Sequence, residues 1–202
     1  MKSLIFLLAY LIGAIPFGFI TAKVFNVDIR QQGSGNIGAT NVFRTLGPVP
    51  GVIVFALDLL KGTAAVYLAQ QFFTDPWIIM LTGLAAIVGH MFPVFLKFKG
   101  GKGAATGLGV LLGIAPDIFL GAAIVSFLII ALTRYVSVGS MVTVPLVALA
   151  LLLLDRPQPY VIVTGIVALL VIIRHTGNIK RLLKGTENRI GGPSTGSGYN
   201  KS

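Results

Sequence analysis

The stretch Phe98-Lys99-Gly100-Gly101-Lys102-Gly103 lies between two long apolar runs of this chain. Glycines let backbone N–H groups approach a ligand closely, and lysines add compact positive charges. A turn of this composition suits a phosphate group. Because the flanking runs are long enough to be membrane helices, the stretch predicts a helical membrane protein with a phosphate site at the membrane edge.

The composition of the chain favours a membrane protein. Of its 202 residues, 55% are apolar and only 11% are charged, whereas soluble domains carry about 25% charged residues. The absence of cysteine excludes disulfides and thiol chemistry, and with two histidines and six carboxylates we expect no metal and no other cofactor. The net charge of +10 fits cytoplasmic loops, anionic lipid or an anionic substrate, and no nucleic-acid signature accompanies it.

Seven apolar segments predict an all-α polytopic membrane protein with about seven transmembrane helices. They cover about Ser3–Val24, Val49–Phe72, Asp75–Leu96, Gly103–Ala115, Pro116–Thr133, Val138–Leu154 and Pro157–Ile173. The fourth segment is too short to cross an undistorted bilayer, so it is either a strained crossing or a re-entrant segment. We expect residues 1–191 to form a single membrane domain. Residues 192–202 have the composition of a flexible tail such as cloning leaves behind.

Basic residues indicate how the chain is oriented. With seven crossings, most lysines and arginines outside the spans fall on one side, and only Lys2 and Arg156 fall on the other. The positive-inside rule makes the first side cytoplasmic. The sequence therefore predicts an N-terminus outside the cytoplasm and a C-terminus inside it.

This orientation predicts the behaviour of a reporter fused after Gly191. We expect a reporter enzyme that works only in the cytoplasm to be active there, because the basic C-terminal region is retained on that side. Enzyme activity of the fusion in intact cells measures this. Activity confined to a reporter that works outside the cytoplasm would overturn the orientation.

The first predicted cytoplasmic loop contains Gly33-Ser34-Gly35-Asn36-Ile37-Gly38-Ala39-Thr40-Asn41-Val42-Phe43-Arg44. Such a loop can surround an oxyanion with backbone N–H groups, and Arg44 can add a bidentate contact. A flexible linker is the alternative, although linkers rarely have this apolar content. The loop lacks the Gly-Lys-Ser/Thr ending of a Walker motif.

Two groups of ionisable residues lie near the glycine turn. Asp58 and Lys61 are three positions apart in the second span, where they either neutralise each other or turn Lys61 toward an anionic ligand. Lys99 and Lys102 lie in the turn itself, before a helix whose N-terminus can bind an anion. A plain positive-inside cluster is the alternative there. We expect His90, deeper in the third span, to be structural.

The last region runs from Arg174 to Glu187. His175 lies where the last span meets the cytoplasm, and Asn178 follows three positions later. A histidine at this place can act as a general base or orient a substrate. The alternative is a basic helix that lies on anionic lipid. Glu187 is the only glutamate, and we expect it to be a partner for an arginine.

Together these motifs resemble the bacterial membrane glycerol-3-phosphate acyltransferases that use acyl phosphate, the PlsY family. The resemblance covers the chain up to about Gly191. It implies that the 1-hydroxyl of glycerol 3-phosphate attacks a fatty acyl phosphate, giving lysophosphatidic acid and inorganic phosphate as the first step of phospholipid synthesis. It also implies a site on the cytoplasmic face of the bacterial inner membrane, without a cofactor, and we expect a monomer in contact with membrane lipid.

The resemblance and the chemistry of acyl transfer suggest roles for individual residues. Ser34 and Arg44 would face the acyl phosphate, the lysine turn would hold the phosphate of glycerol 3-phosphate, and His175 and Asn178 would position its hydroxyl. An acyl-Ser34 intermediate is not required, because the donor arrives activated. The expected substrate-binding residues are Gly35, Asn36, Thr40, Asn41, Lys61, Lys99, Gly100, Gly101, Lys102, Gly103 and Thr106.

Two other classes of function share some of these features. An organophosphate transporter would use the basic loops as a vestibule, but transporters bind substrate near the midplane between repeated halves, and no internal repeat is apparent. A lipid-binding scaffold without catalysis is the third class. Phosphate release from acyl phosphate in the presence of glycerol 3-phosphate distinguishes the three.

Overall fold

The structure is a computed structural model that describes residues 1–191, and the predicted tail lies outside the described residues. The described chain forms helices and no strands. Ten α-helices follow one another: α1 (Lys2–Ala14), α2 (Phe17–Val24), α3 (Ala39–Leu46), α4 (Pro48–Gln70), α5 (Pro76–Met91), α6 (Ala104–Ile114), α7 (Pro116–Thr133), α8 (Val136–Leu153), α9 (Gln158–Arg174) and α10 (Thr176–Leu183). Short 3₁₀ turns cover Ile29–Gln31 and Val94–Leu96.

The all-α membrane fold that the sequence predicts is confirmed. Within residues 1–191, five segments are long and apolar enough to cross a membrane: α1 with α2, α4, α5 with the 3₁₀ turn after it, α7 and α8. The pair α9 and α10, bent by 54° at His175, would be a sixth. Helix α6 has 11 residues and is the short fourth segment. The orientation of the termini stays a prediction.

Two segments differ from the sequence prediction. The first span is broken at Ile15 and Pro16, because proline has no N–H for the helix ladder and its ring crowds the preceding turn. The predicted first loop contains a helix, α3, which carries Arg44. Its Asn41 and Val42 are buried, so tertiary packing stabilises a helix where the small polar residues suggested a loop.

Glycines allow the helices that carry the candidate site to pack closely. A Cβ atom on Gly109 of α6 would lie 1.8 Å from the carbonyl oxygen of Leu59 in α4. A Cβ on Gly62 of α4 would lie 2.2 Å from the carbonyl oxygen of Thr106. Small residues permit such crossings within a membrane, where van der Waals packing drives helix association. The crossing fixes the start of α6 against α4.

Candidate active site

Hydrogen bonds to both its N–H groups and its carbonyls fix the glycine turn between α5 and α6. The N–H groups of Gly100 and Gly101 donate to the carbonyls of Met91 (3.2 Å) and His90 (3.0 Å). The Nη2 atom of Arg174, at the end of α9, donates to the carbonyls of Gly100 and Gly101, each at 3.0 Å. A Cβ on Gly101 would lie 2.0 Å from Nε2 of His90, so a side chain does not fit there. The turn therefore has one well-defined conformation.

A buried ionic group lies beneath this turn. The ammonium of Lys61 is 2.7 Å from Oδ1 of Asp58, and Nδ1 of His90 is 3.5 Å from the same oxygen. Lys61 also donates to the carbonyl of Ile15 at 3.1 Å, next to the helix break at Pro16. The self-neutralising interpretation of Asp58 and Lys61 is therefore confirmed. Two of the three N–H donors of the Lys61 ammonium thus have partners within the protein, and its expected role in binding substrate stays a prediction.

The start of α6 presents backbone donors. Gly103 precedes the helix in a left-handed conformation, with φ of +85°, and no side chain caps the helix. The first N–H groups of a helix have no partner within it, so this N-terminus can bind an anion. Thr106 lies one turn in and is fully buried. Its hydroxyl has no hydrogen-bond partner among the described residues, and its expected role in binding substrate stays a prediction.

A polar cluster, formed by Ser137, Lys102, Asn178, Arg181 and Glu187, lies beside the turn. The ammonium of Lys102 donates to Oδ1 of Asn178. The amide nitrogen of Asn178 donates to Oε1 of Glu187 (2.7 Å), which also accepts from the Ser137 hydroxyl (2.9 Å). Oε2 of Glu187 accepts from Nε of Arg181 at 2.7 Å. The expected pairing of Glu187 with an arginine is confirmed.

Cations outnumber carboxylates around this cluster. Burial lowers the pKa of Lys102 to about 8; Arg181, Arg44 and Arg174 lower it as well, and Glu187 opposes them. Hydrogen bonds from Asn178, Ser137 and Arg181 hold the pKa of Glu187 below its ordinary value, despite its burial. Four cationic side chains thus share one carboxylate, which favours binding of a further anion.

Arg44 reaches the cluster from α3. Its Nη2 atom donates to the carbonyl of Asn188 at 2.9 Å. Its Nε atom is buried and has no hydrogen-bond partner within residues 1–191. A buried N–H without a partner is costly, and an anion at this place would accept its hydrogen bond. Arg44, predicted from the sequence, is thus brought beside Lys102.

His175 is held in one tautomer. Its Nδ1 atom lies 2.7 Å from the carbonyl of Val171, and this oxygen can only accept, so Nδ1 carries the proton. In the neutral ring Nε2 then has a free lone pair. His175 is buried, as is Asn178 three residues later. Within residues 1–191, no group of three histidine or carboxylate side chains is placed to hold a metal ion.

The loop before α3 is organised by Asn41. Its amide nitrogen lies 2.9 Å from the carbonyl of Gln32 and 2.8 Å from that of Asn36, and its Oδ1 accepts from the N–H of Ser34 at 2.9 Å. These bonds show that its side chain positions the loop, and its expected role in binding substrate stays a prediction. Ser34 itself is exposed, one turn of α3 and a short loop away from Arg44.

Three other residues of this part of the chain were predicted to bind substrate. Asn36 accepts a hydrogen bond from the N–H of Gly38 at 2.8 Å, and Gly35 adopts a left-handed conformation with φ of +69°. Thr40 is half-buried at the start of α3. No described contact joins these residues to Lys102, so their role in binding stays a prediction.

The structure separates the two lysines of the turn. Lys102 is half-buried and bonded to Asn178, whereas Lys99 is exposed. Sequence reasoning did not select Arg174, Arg181 or Ser137. The two arginines belong to a motif that the sequence singled out, but a basic segment gives no sign of which side chains turn inward.

An apolar cavity extends from the cluster into the protein. It lies between α5, α6, α8 and α9. Gly103 and Val171, the neighbours of Lys102 and His175, line its outer end. Ile114 and Val163 line its inner end. The helical rise per residue places this end ~15 Å from the outer end. This depth is about half the hydrocarbon thickness of a bilayer.

The fold and the site define an integral membrane protein with a group of cationic side chains next to an apolar cavity. The family model described as glycerol-3-phosphate acyltransferase matches residues 3–185. A glycerol-3-phosphate acyltransferase of Geobacter sulfurreducens is 47% identical over 183 residues, which cover 90% of this chain and 94% of the relative. That of Aquifex aeolicus is 44% identical over 192 residues, covering 94% and 100%.

Solved structures agree with this result. The glycerol 3-phosphate form of PlsY (YgiH), an integral membrane glycerol 3-phosphate acyltransferase, matches with a TM-score of 0.90 and 43% identity over 93% of this chain and 94% of that one. The lysophosphatidic acid form has a TM-score of 0.88, with the same identity and coverage. The chain belongs to the glycerol-3-phosphate acyltransferase family. It is an integral membrane acyltransferase.

Proposed function

We propose that this enzyme transfers a fatty acyl group from acyl phosphate to the 1-hydroxyl of glycerol 3-phosphate, releasing lysophosphatidic acid and inorganic phosphate. The observation that carries the proposal is that the polar cluster and its surrounding cations meet the apolar cavity at Gly103 and Val171. One substrate is a water-soluble anion and the other is an anion with a long apolar chain. Such a junction holds both, with the reacting groups at the boundary.

The cationic side chains have distinct roles in this proposal. Lys102 and the N-terminus of α6 hold the phosphate of glycerol 3-phosphate. Arg44, whose Nε lacks a partner among the described residues, holds the acyl phosphate with the Ser34 loop. These charges offset the repulsion between two anionic substrates and stabilise the oxyanion that forms on the acyl carbonyl.

The chemical step requires few further groups from the protein. The 1-hydroxyl oxygen forms a bond to the acyl carbon, and the bond from that carbon to the phosphate oxygen breaks, so phosphate leaves with the electron pair. The hydroxyl proton passes to Nε2 of His175 or to the leaving phosphate. Because acyl phosphate is an activated mixed anhydride, orientation and charge stabilisation are the main tasks of the protein.

The location of the site follows from the predicted orientation. The polar cluster and Arg44 draw side chains from the region after α9, the turn before α6 and the helix α3. The positive-inside rule assigns these three regions to the cytoplasm. We infer that the site faces the cytoplasm from the inner membrane. We infer also that one chain is sufficient for activity, since Arg44, Lys102, His175 and Asn178 all belong to one chain.

Turnover by the purified protein tests the reaction. Protein in detergent or nanodiscs, given palmitoyl phosphate and glycerol 3-phosphate, should release inorganic phosphate and form lysophosphatidic acid in equal amounts. Phosphate assay and thin-layer chromatography measure both products. Phosphate release without the lipid product would contradict acyl transfer, and activity with acyl-CoA alone would contradict the proposed donor. In proteoliposomes, uptake of glycerol 3-phosphate without turnover would favour a transporter.

Substitutions in the cluster should separate binding from catalysis. Lys102→Ala removes a charged hydrogen-bond donor worth about 1.5–3 kcal/mol, so the KM for glycerol 3-phosphate should rise about tenfold or more. His175→Ala should instead lower kcat by about 10²-fold or more. Lys99→Ala, at an exposed position three residues away, is the matched control and should change KM little.

Steady-state kinetics with each substrate varied in turn provide the measurement. A Lys102→Ala enzyme that altered only the KM for acyl phosphate would contradict the assignment of this lysine. An equal effect of Lys99→Ala would show that the turn acts only through its overall charge.

The apolar cavity is proposed to hold the acyl chain. Burial of each methylene contributes ~0.8 kcal/mol, so a chain that fills the cavity is bound strongly. Val163 lies near the inner end, and Gly107 lies near the outer end with only Ile87 and Val167 within 4 Å of a Cβ built on it. A larger residue at each position should thus block different parts of the chain.

Chain-length preference tests this placement. Val163→Phe should lower kcat/KM for 16-carbon acyl phosphate about tenfold, the equivalent of ~1.4 kcal/mol, and leave 8-carbon donors nearly unchanged. Gly107→Leu, the matched variant, should impair donors of every length. Rates across a series of acyl phosphates give the comparison. An equal loss for all lengths with Val163→Phe would show that the chain lies elsewhere.

A further inference from the structure

The segment after α10 crosses over the polar cluster. We name residues 185–190 the C-terminal strap. The carbonyl of Asn188 accepts from Arg44, Nε of Arg189 donates to the Tyr135 hydroxyl at 2.9 Å, and the N–H of Ile190 donates to the carbonyl of Arg134 at 2.9 Å. The strap thus joins α3 to the connection between α7 and α8. The family match ends at residue 185, so these contacts lie beyond it.

Glu187 is the residue of the strap that enters the cluster. It is buried, and its two carboxylate oxygens accept three hydrogen bonds, from Ser137, Asn178 and Arg181. The side chain of Asn178 ends in a single amide group, so fixing its nitrogen also fixes its oxygen. Because its nitrogen is bonded to Glu187, its oxygen is the atom that faces the ammonium of Lys102.

We propose that Glu187 is a positioning residue for glycerol 3-phosphate: it fixes the Asn178 amide so that the oxygen orients Lys102, and it places a carboxylate among the cations around Lys102. The inference rests on the proposed function of Lys102 as the phosphate ligand. Glu187 acts through these neighbours and does not itself touch the substrate phosphate, which a carboxylate would repel.

The charges around Lys102 come from every neighbouring element. Arg44 lies on α3, Arg174 ends α9, Arg181 lies on α10, and Glu187 lies on the strap; His175 adds an imidazole between α9 and α10. Arg44, Arg174 and Arg181 lower the pKa of Lys102, and Glu187 raises it against the effect of burial. Removing Glu187 or Arg181 therefore changes the protonation of Lys102 in opposite directions.

The pH dependence of kcat/KM for glycerol 3-phosphate tests the proposal, since it reports groups of the free enzyme. In the unsubstituted enzyme it should fall as the pH rises through about 8, where Lys102 loses its proton. Glu187→Gln keeps an oxygen that can accept from Asn178 but removes the charge. It should move this fall to lower pH and lower kcat/KM severalfold at neutral pH, with KM for acyl phosphate unchanged.

Arg181→Gln is the matched control, because it breaks the same ion pair from the other side. It should move the fall to higher pH. A loss of strap packing alone would impair both variants without opposite shifts. Glu187→Ala, which also removes the acceptor for Asn178, should raise KM for glycerol 3-phosphate more than Glu187→Gln does.

The possible results separate this inference from the proposed function. A Lys102→Ala enzyme whose KM for glycerol 3-phosphate is unchanged would contradict the role of Lys102 as the phosphate ligand. A fall that is present but does not move in Glu187→Gln, or moves in the same direction in both variants, would overturn the role of Glu187. If Glu187→Ala does not fold, the two glutamine variants still decide.

Discussion

The turn at Gly100 and Gly101 is the constraint on which the site depends. Its N–H groups bind the end of α5 and its carbonyls bind Arg174 of α9. Gly100 and Gly101 are buried away from water, so their backbone groups must find partners in the protein. The partners available at this point belong to the helices that border the apolar cavity. Satisfying the turn therefore also places Lys102 and the start of α6 at the mouth of that cavity.

Buried charge supports the turn from below. Asp58, Lys61 and His90 form an ionic group within the membrane, where isolated charges are expensive and those retained are paired. Lys61 also takes up the carbonyl left at the break of the first span. The group therefore links α1, α4 and α5 under the turn. We interpret it as a rigid base that keeps His90 against Gly101.

The sequence predicted the helices and the motif residues well, and their contacts poorly. Apolar runs of ~20 residues indicate spans without any tertiary information, so the all-α membrane fold followed from composition and length. Helix α3 was missed because its stability comes from burial of Asn41 and Val42 and not from an apolar pattern. The protein partners of Lys61 and Asn41 were not predicted for a related reason, since a residue type suited to a phosphate is equally suited to a carbonyl or a carboxylate of the protein.

The balance of charge explains why the polar cluster contains a carboxylate. Four cations held together without an anion would repel one another and favour loss of the proton from Lys102, the one among them that can lose it near neutral pH. A carboxylate in contact with the phosphate would weaken substrate binding. Glu187 avoids both difficulties, because Asn178 stands between it and Lys102 and passes on orientation through a neutral amide. The distance that the amide adds lets the carboxylate stabilise the free site and leaves the ammonium available to the substrate.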